Sequence, residues 1–563
     1  MSRVWLEIMN NLAPMATKTN KSASAGAIET NDVAPIPAGE RHGKPWHLFT
    51  VWSSPNLEFA TIFVGALAII FGLNIWQGIL AVIVGNALAA LTHGYFSTMG
   101  PKSGLPQMIL GRSAFGVIGN RIPAGTSTLV AGIGWFAVNT TSGAFALQTL
   151  SKRVVDGGID ITVCLAVIII AQIVIAFIGH NLIQKFERYA FYYLVVVWLI
   201  VAVTIFSSPS IVWTTEFGDF NLAGFTAAAG AAYGYTAGWT PFASDYTRYL
   251  PEKSDSKALG LSAGLGNFFA TTVLMVVGVL AWSILGQMSG NPTDVFVSVL
   301  DQNFAILVLL GIAIGSVSAN VLNVYSGAMS FLTMGIKVGF KTRRAIMVLL
   351  AGVVGGITAY WAVANDFVAG FEGFLLVVSY WVAPWIAIVL IDYVAKGYSI
   401  SAADVEEKKN SHNDAGIIAF VIATVMSISY FAYQIAFAGS IALALPVGDL
   451  TAVVGFVLAV DIYIILAIGQ KPGVKGGIKL IAGVVTVIMF AWLMSMSNSS
   501  MASAAVSEFI SYSLVIFIWL YLARRVAEVA GARGKSSRAF LWLGIALTPA
   551  VTGLAVALLP EKK

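Results

Sequence analysis

Three observations predict an all-α polytopic membrane protein. Of the 563 residues, 58% are hydrophobic and 10% charged, with mean hydropathy +0.83, so too little polar surface remains to clothe soluble domains. The apolar residues gather into about fifteen runs of roughly 20, the length at which a helix crosses a ~30 Å hydrocarbon core. The basic residues are also sided. With the N-terminus placed in the cytoplasm, only Lys152, Arg153, Lys562 and Lys563 among the 32 Lys and Arg fall outside, the asymmetry that orients a multi-pass protein in a cell membrane, plasma or inner.

The predicted spans are 50–72, 76–98, 124–149, 160–181, 189–208, 223–246, 262–286, 303–332, 345–363, 372–395, 415–437, 449–469, 477–496, 505–523 and 540–559. Residues 1–47 are polar and have no apolar core of the kind a cleaved signal needs, so they read as a disordered cytoplasmic tail. Spans one to twelve fill 48–470, and an extension, 471–563, adds about three more. An odd count puts the C-terminus outside together with Lys562 and Lys563; merging or losing one late run removes that conflict. The single cysteine, Cys164, excludes a disulfide frame and a thiolate metal cluster. The net charge of +5 is accounted for by the inner loops, so nucleic acid is not an expected partner, and lipid is the solvent.

Span one carries Val51-Trp52-Ser53-Ser54-Pro55-Asn56-Leu57-Glu58-Phe59-Ala60. A proline, small polar residues and a carboxylate break helical hydrogen bonding there, and backbone bared in a bilayer persists only against protein or a water-filled cavity. Span six carries a second interruption, Ala232-Tyr233-Gly234-Tyr235-Thr236-Ala237-Gly238-Trp239-Thr240-Pro241. The two spans run in opposite directions, and such paired breaks point to a transporter site near the midplane. The plainer reading is that Gly and Pro are common in membrane helices.

Glu58 is expensive to insert, by about 3 kcal/mol, and should face a partner, a substrate or a proton path. In span three Trp135 and Asn139 lie four apart, setting an aromatic plate beside an amide on one helix face. Span eight places Ser316, Asn320 and Asn323 in one polar stripe able to bond a ligand or to join helices. Asp245 and Arg248, three apart at the inner end of span six, read as a helix-end ion pair or a gate. His93 and His180 have no second ligand at metal spacing and read as structural. No His pair with acids and no Ser-His dyad suggests an enzyme, and no repeated filter suggests a channel.

Taken together these stretches resemble the nucleobase:cation symporter family, the permeases for cytosine, purines, uracil, allantoin and hydantoins. The matching stretches are Val51 to Ala60, Gly111-Arg112-Ser113-Ala114-Phe115-Gly116 onward to Pro123, Gly134-Trp135-Phe136, Ala243 to Tyr249, Asn323-Val324-Tyr325-Ser326 and Tyr380-Trp381-Val382-Ala383-Pro384-Trp385. The resemblance implies a LeuT-like fold of two inverted five-helix repeats with broken helices one and six, two peripheral helices completing the permease domain, and alternating access. It implies that Trp135 stacks on the substrate ring, that Asn139 and Asn323 bond its edge, and that Glu58 faces it from helix one. The second aromatic wall falls to Tyr235 or Trp239, because counting back from Asp245 puts Thr236 at that place. In sodium-coupled relatives the cation is held by carbonyls, here Ser54, Leu57 and Ile314, and by two adjacent hydroxyls, here Val317 and Ser318. One hydroxyl is therefore missing, and the coupling ion is Na+ or H+. No cofactor is implied. The rival solute on the same fold is an amino acid or amine; Trp135 with the two amides favours a planar nitrogen heterocycle. The oligomeric state is not readable, and the extension suggests an oligomer contact or a lipid-facing buttress.

Overall fold

The computed structural model describes residues 33–558 apart from 179, 214–216, 287–290, 337–339, 402–403, 406–411, 435–436 and 469–475. Among them the chain is helical with no strand, only two isolated bridges. Residues 1–32 of the expected tail, like Lys562 and Lys563, lie outside the described residues. The rest of the tail is docked rather than loose. Ile36 is buried, its N–H donates to the Gly104 carbonyl at 3.0 Å, and Arg41 reaches the Pro101 carbonyl at 2.7 Å.

Helix one is broken where proline and polar residues interrupt it. Its halves, His47–Asn56 and Phe59–Ile70, meet at 66°, and Glu58 between them is fully extended (φ −140°, ψ 166°). Helix two, Ile75–Ser97, and helix three, Arg121–Ser151, follow. Helix three contains a π turn, Val130–Trp135, a local widening frequent at functional sites. Helices four and five are Ile161–Ile178 and His180–Phe206; the side chain of His180 lies outside the described residues. Helix six runs as Leu222–Ala237, then through Gly238 and Trp239 into a single turn, Thr240–Phe242, and a short helix, Ala243–Thr247. Pro241 sits in the first turn of that new segment, where its missing N–H is harmless. Helices seven, eight and ten are the long unbroken rods Ser256–Leu285, Gln302–Thr333 and Phe367–Ala395. Helix nine includes a second π turn, Leu350–Gly355, and ends at Ala364. Helices eleven and twelve are Asp414–Phe431 and Thr451–Tyr463.

The second half of helix one lies backbone to backbone on helix seven. A methyl group on Gly65 would stand 1.8 Å from the Met275 carbonyl oxygen, and one on Gly278 would stand 1.8 Å from that of Ile62. Only glycine allows this approach, the small-residue packing that membrane helices use in place of a hydrophobic drive.

Among its described residues the extension contains two helices long enough to cross, Gly477–Met496 and Ser500–Ala532, where about three are expected. The fifteenth apolar run divides at Thr548 into Ser537–Ala546 and Pro549–Ala557. At 1.5 Å per residue each covers about half a bilayer core, and both pack on Ser500–Ala532. Polar contacts fasten the extension to helices eleven and twelve. Thr486 donates to Asp461, Tyr430 to Glu508 at 3.2 Å, and Arg538 pairs with Asp414 at 2.7 Å. Asp461 and Glu508, two intramembrane acids to which the sequence assigns no role, thus anchor this junction. An apolar crevice of about 600 Å³ opens beside it, lined by Tyr95, Ile391, Asp461 and Ala482; Glu58, Trp135, Asn139 and Tyr235 are not among its walls.

Candidate functional site

The break in helix one leaves the Asn56 carbonyl without its helical N–H partner, and a side chain takes that place. Thr61 Oγ1 donates to it at 2.7 Å. Tyr235, from helix six, brings its hydroxyl to 2.6 Å from Thr61 Oγ1 and 2.7 Å from Glu58 Oε1. Four oxygens, Asn56 O, Thr61 Oγ1, Tyr235 Oη and Glu58 Oε1, thus form a continuous chain across the two broken helices. Glu58 and Tyr235 are buried, and among the described residues no ion pair reaches Glu58.

A second polar cluster joins helices three and eight around Asn320. Its Nδ2 donates to the Phe136 carbonyl at 2.9 Å and to Thr140 Oγ1 at 3.2 Å. Its Oδ1 accepts from Asn139 Nδ2 at 3.1 Å and, more loosely, from Asn323 Nδ2 at 3.4 Å. Asn139 is 1% exposed, yet among the described residues its Oδ1 has no partner. A buried acceptor left bare costs about 1–3 kcal/mol and asks for an explanation.

Trp135 closes the π turn one helical turn before Asn139 and lies between two rings. Tyr235 meets it edge-on at 5.2 Å and 89°, and Phe374 of helix ten at 5.0 Å and 83°. Phe374 fits a notch left by Gly134, where a methyl group would come within 2.2 Å of the ring. The structure therefore brings together Glu58, Tyr235 and Trp135, and separately Asn139, Asn320 and Asn323. Trp239 is turned elsewhere. Its Nε1 donates to Asn56 Oδ1 at 3.0 Å, and its ring contacts Trp52 and Phe242. Thr236 donates to Asn86 on helix two at 2.6 Å. Asp245 accepts from the Gln107 N–H at 3.0 Å. His93 stands edge-on to Trp52 at 4.2 Å with neither ring nitrogen bonded. Thr61, Trp198 and Phe374 escaped the sequence reading: a threonine one turn past the break is an available cap, but no local pattern announces the other two.

Residues 35–455 match the family described as permeases for cytosine/purines, uracil, thiamine and allantoin. The chain belongs to this family. Among its relatives, the Bacillus subtilis candidate purine-cytosine permease YxlA is 29% identical over 80% of this chain and 97% of its own. The Saccharomyces cerevisiae purine-cytosine permease FCY2 is 26% identical over 72% of this chain and 80% of its own. The fold is that of Mhp1, titled a nucleobase-cation-symport-1 family transporter: an inward-facing structure superposes with TM-score 0.62 at 18% identity, covering 86% of this chain and 98% of that one, and a closed structure with bromovinylhydantoin bound gives 0.61 at 18%, covering 86% and 100%. The family core ends where helix twelve begins, so the helices after residue 470 lie beyond the matched region.

Two of the carbonyls that the resemblance assigns to a cation each accept one hydrogen bond. The Leu57 carbonyl accepts the Trp198 indole N–H at 2.8 Å, and the Ser54 carbonyl accepts the Leu57 N–H at 3.1 Å. Ser316 donates its hydroxyl hydrogen to the Ile312 carbonyl at 2.8 Å. Ser318 is buried, and Ile314 is partly so. Gly315 brings helix eight close to the break, its added methyl falling 3.3 Å from the Leu57 oxygen.

Proposed function

We propose that this permease imports a planar nitrogen heterocycle of the cytosine/purine class together with a cation, by alternating access, across a cell membrane with its N-terminus in the cytoplasm. The observation that carries the substrate class is the bare Asn139 Oδ1 one helical turn from the Trp135 plate. A flat ring stacked on the indole offers the N–H that this acceptor lacks, and stacking of a base on an aromatic face is worth about 1–3 kcal/mol. Glu58 is the polar contact from helix one, Asn323 a further contact from helix eight, and Tyr235, rather than Trp239, the second ring. Competition among cytosine, adenine, hypoxanthine, uracil, allantoin and hydantoin for uptake into proteoliposomes tests this. Uptake of an amino acid or amine with none of these competing overturns it.

The coupling ion in this reading is a proton held by Glu58. The chain from Asn56 O to Glu58 Oε1 has three short contacts, while Thr61 and Tyr235 supply only two hydroxyl protons. The third contact acquires its hydrogen when Glu58 is the protonated acid, which is then a donor. Neutral Glu58 also avoids an unpaired charge within the bilayer. Against sodium stands the apolar Val317, which leaves an oxygen cage one hydroxyl short. Ser54, Leu57, Ile314 and Ser318 remain the positions where a sodium ion would sit in the alternative. Full uptake in sodium-free buffer under an inward proton gradient supports the proton; uptake that needs sodium and ignores the gradient overturns it.

A further inference from the structure

We infer that Asn320 is a positioning residue that fixes the polarity of the substrate edge, so that the site at Asn139 accepts a hydrogen bond and selects heterocycles presenting an N–H there. This inference rests on the heterocycle reading above and adds which edge is recognised.

An asparagine amide has two ends, and its orientation is ordinarily settled only by its neighbours. Here one neighbour is unambiguous. The Phe136 carbonyl can only accept, so the Asn320 atom 2.9 Å from it must be the nitrogen. The oxygen of Asn320 then faces the other way, toward Asn139 and Asn323. An oxygen there requires donors opposite, so Asn139 must present its NH2 to Asn320, at 3.1 Å. Asn139 Oδ1 is thereby turned away from Asn320, into the position where it has no partner. Asn320 has no freedom left to reverse this order, because both of its N–H bonds and its acceptor are in use. Turning Asn139 over would set two oxygens 3.1 Å apart with no hydrogen between them.

The chemical consequence is a one-sided filter. A ring nitrogen bearing hydrogen, or an exocyclic amino group, satisfies Asn139 Oδ1. A carbonyl or an unprotonated ring nitrogen at the same place leaves two buried acceptors facing each other, and sites that lose a required donor discriminate strongly against such ligands.

Isosteric ligand pairs test this on the purified full-length protein by competition binding. Adenine against 6-methylpurine removes an amino donor at constant shape, and purine against oxazolopyrimidine replaces a ring N–H with oxygen. The wild type should bind the donor-bearing member of at least one pair about tenfold or more tightly, a difference of about 1.4 kcal/mol. In Asn139→Ala that ratio should fall toward one. In Asn320→Ala it should also fall, because the Asn139 amide is then free to turn, with thermal unfolding followed in parallel to recognise a variant that has lost its fold. Equal affinities within both pairs in the wild type, or a ratio that survives Asn139→Ala, overturn the inference while leaving the heterocycle reading standing. Binding of no heterocycle at all instead removes the reading beneath it, and the inference falls with it.

Discussion

At the candidate site, Glu58 and Tyr235 link helices one and six through hydroxyls and a carboxyl, whereas Asn320 links helices three and eight through amides. The amide cluster carries a fixed set of hydrogens whatever the pH, so it can read a ligand edge but cannot register a proton. The hydroxyl and carboxyl chain has one contact more than its hydroxyl hydrogens can fill, and its state changes when Glu58 gains or loses one. If the proposed roles hold, recognition and coupling are separable by chemistry, and each of the following variants should affect one more than the other.

The largest expected effect is Glu58→Gln. The amide supplies an N–H to Tyr235 permanently, so accumulation driven by a proton gradient should fall at least about tenfold, beyond the ~1.4 kcal/mol that such a factor represents, while exchange of labelled substrate persists. Gradient-driven accumulation equal to the wild type would merge the two clusters into one role. Next is Trp135→Ala, which should weaken substrate competition by roughly 1–3 kcal/mol through lost stacking with the pH profile of uptake unchanged. A shifted profile would show that the plate also takes part in coupling. Tyr235→Phe keeps the ring and removes the middle oxygen, a loss on the order of 1 kcal/mol. It should flatten the pH dependence of uptake across the acid to neutral range more than it alters affinity. The smallest effect on transport belongs to Thr486→Val, outside both clusters. It should lower thermal stability by about 1 kcal/mol and leave substrate affinity and pH profile in place; altered transport would tie the extension to the core cycle.

Much of the architecture was legible in the sequence because bilayer thickness imposes it. Runs of about 20 apolar residues, the Pro55 break and the Ala232 to Pro241 interruption follow from local chemistry; the structure turns at Pro55 and from Gly238 to Pro241, while Ala232 to Ala237 stay helical. The division of the last run at Thr548 was less visible, since hydropathy is blind to a single non-helical residue between two good helices. At the site, Glu58 stood out because a carboxylate is costly in hydrocarbon, and Asn320 stood out in the polar stripe. The direction of each amide was invisible, because it depends on a carbonyl of Phe136 that is brought opposite only by the fold. The Trp198 bond to Leu57 was hidden for the same reason: the two residues are 141 positions apart. Between Tyr235 and Trp239, spacing alone left the choice open, and the structure places only Tyr235 against Trp135.

The glycine contacts of Gly65 and Gly278 have a mechanical consequence. With main chain resting on main chain at these two glycines and the rings of Phe63 and Trp282 packed beside them, the second half of helix one has little room to slide over helix seven, so the two form a single strut. In the proposed cycle the bend then falls at the joint between the halves, where Leu57 leaves the helical region and Glu58 is extended, so the proposed proton site lies at the pivot.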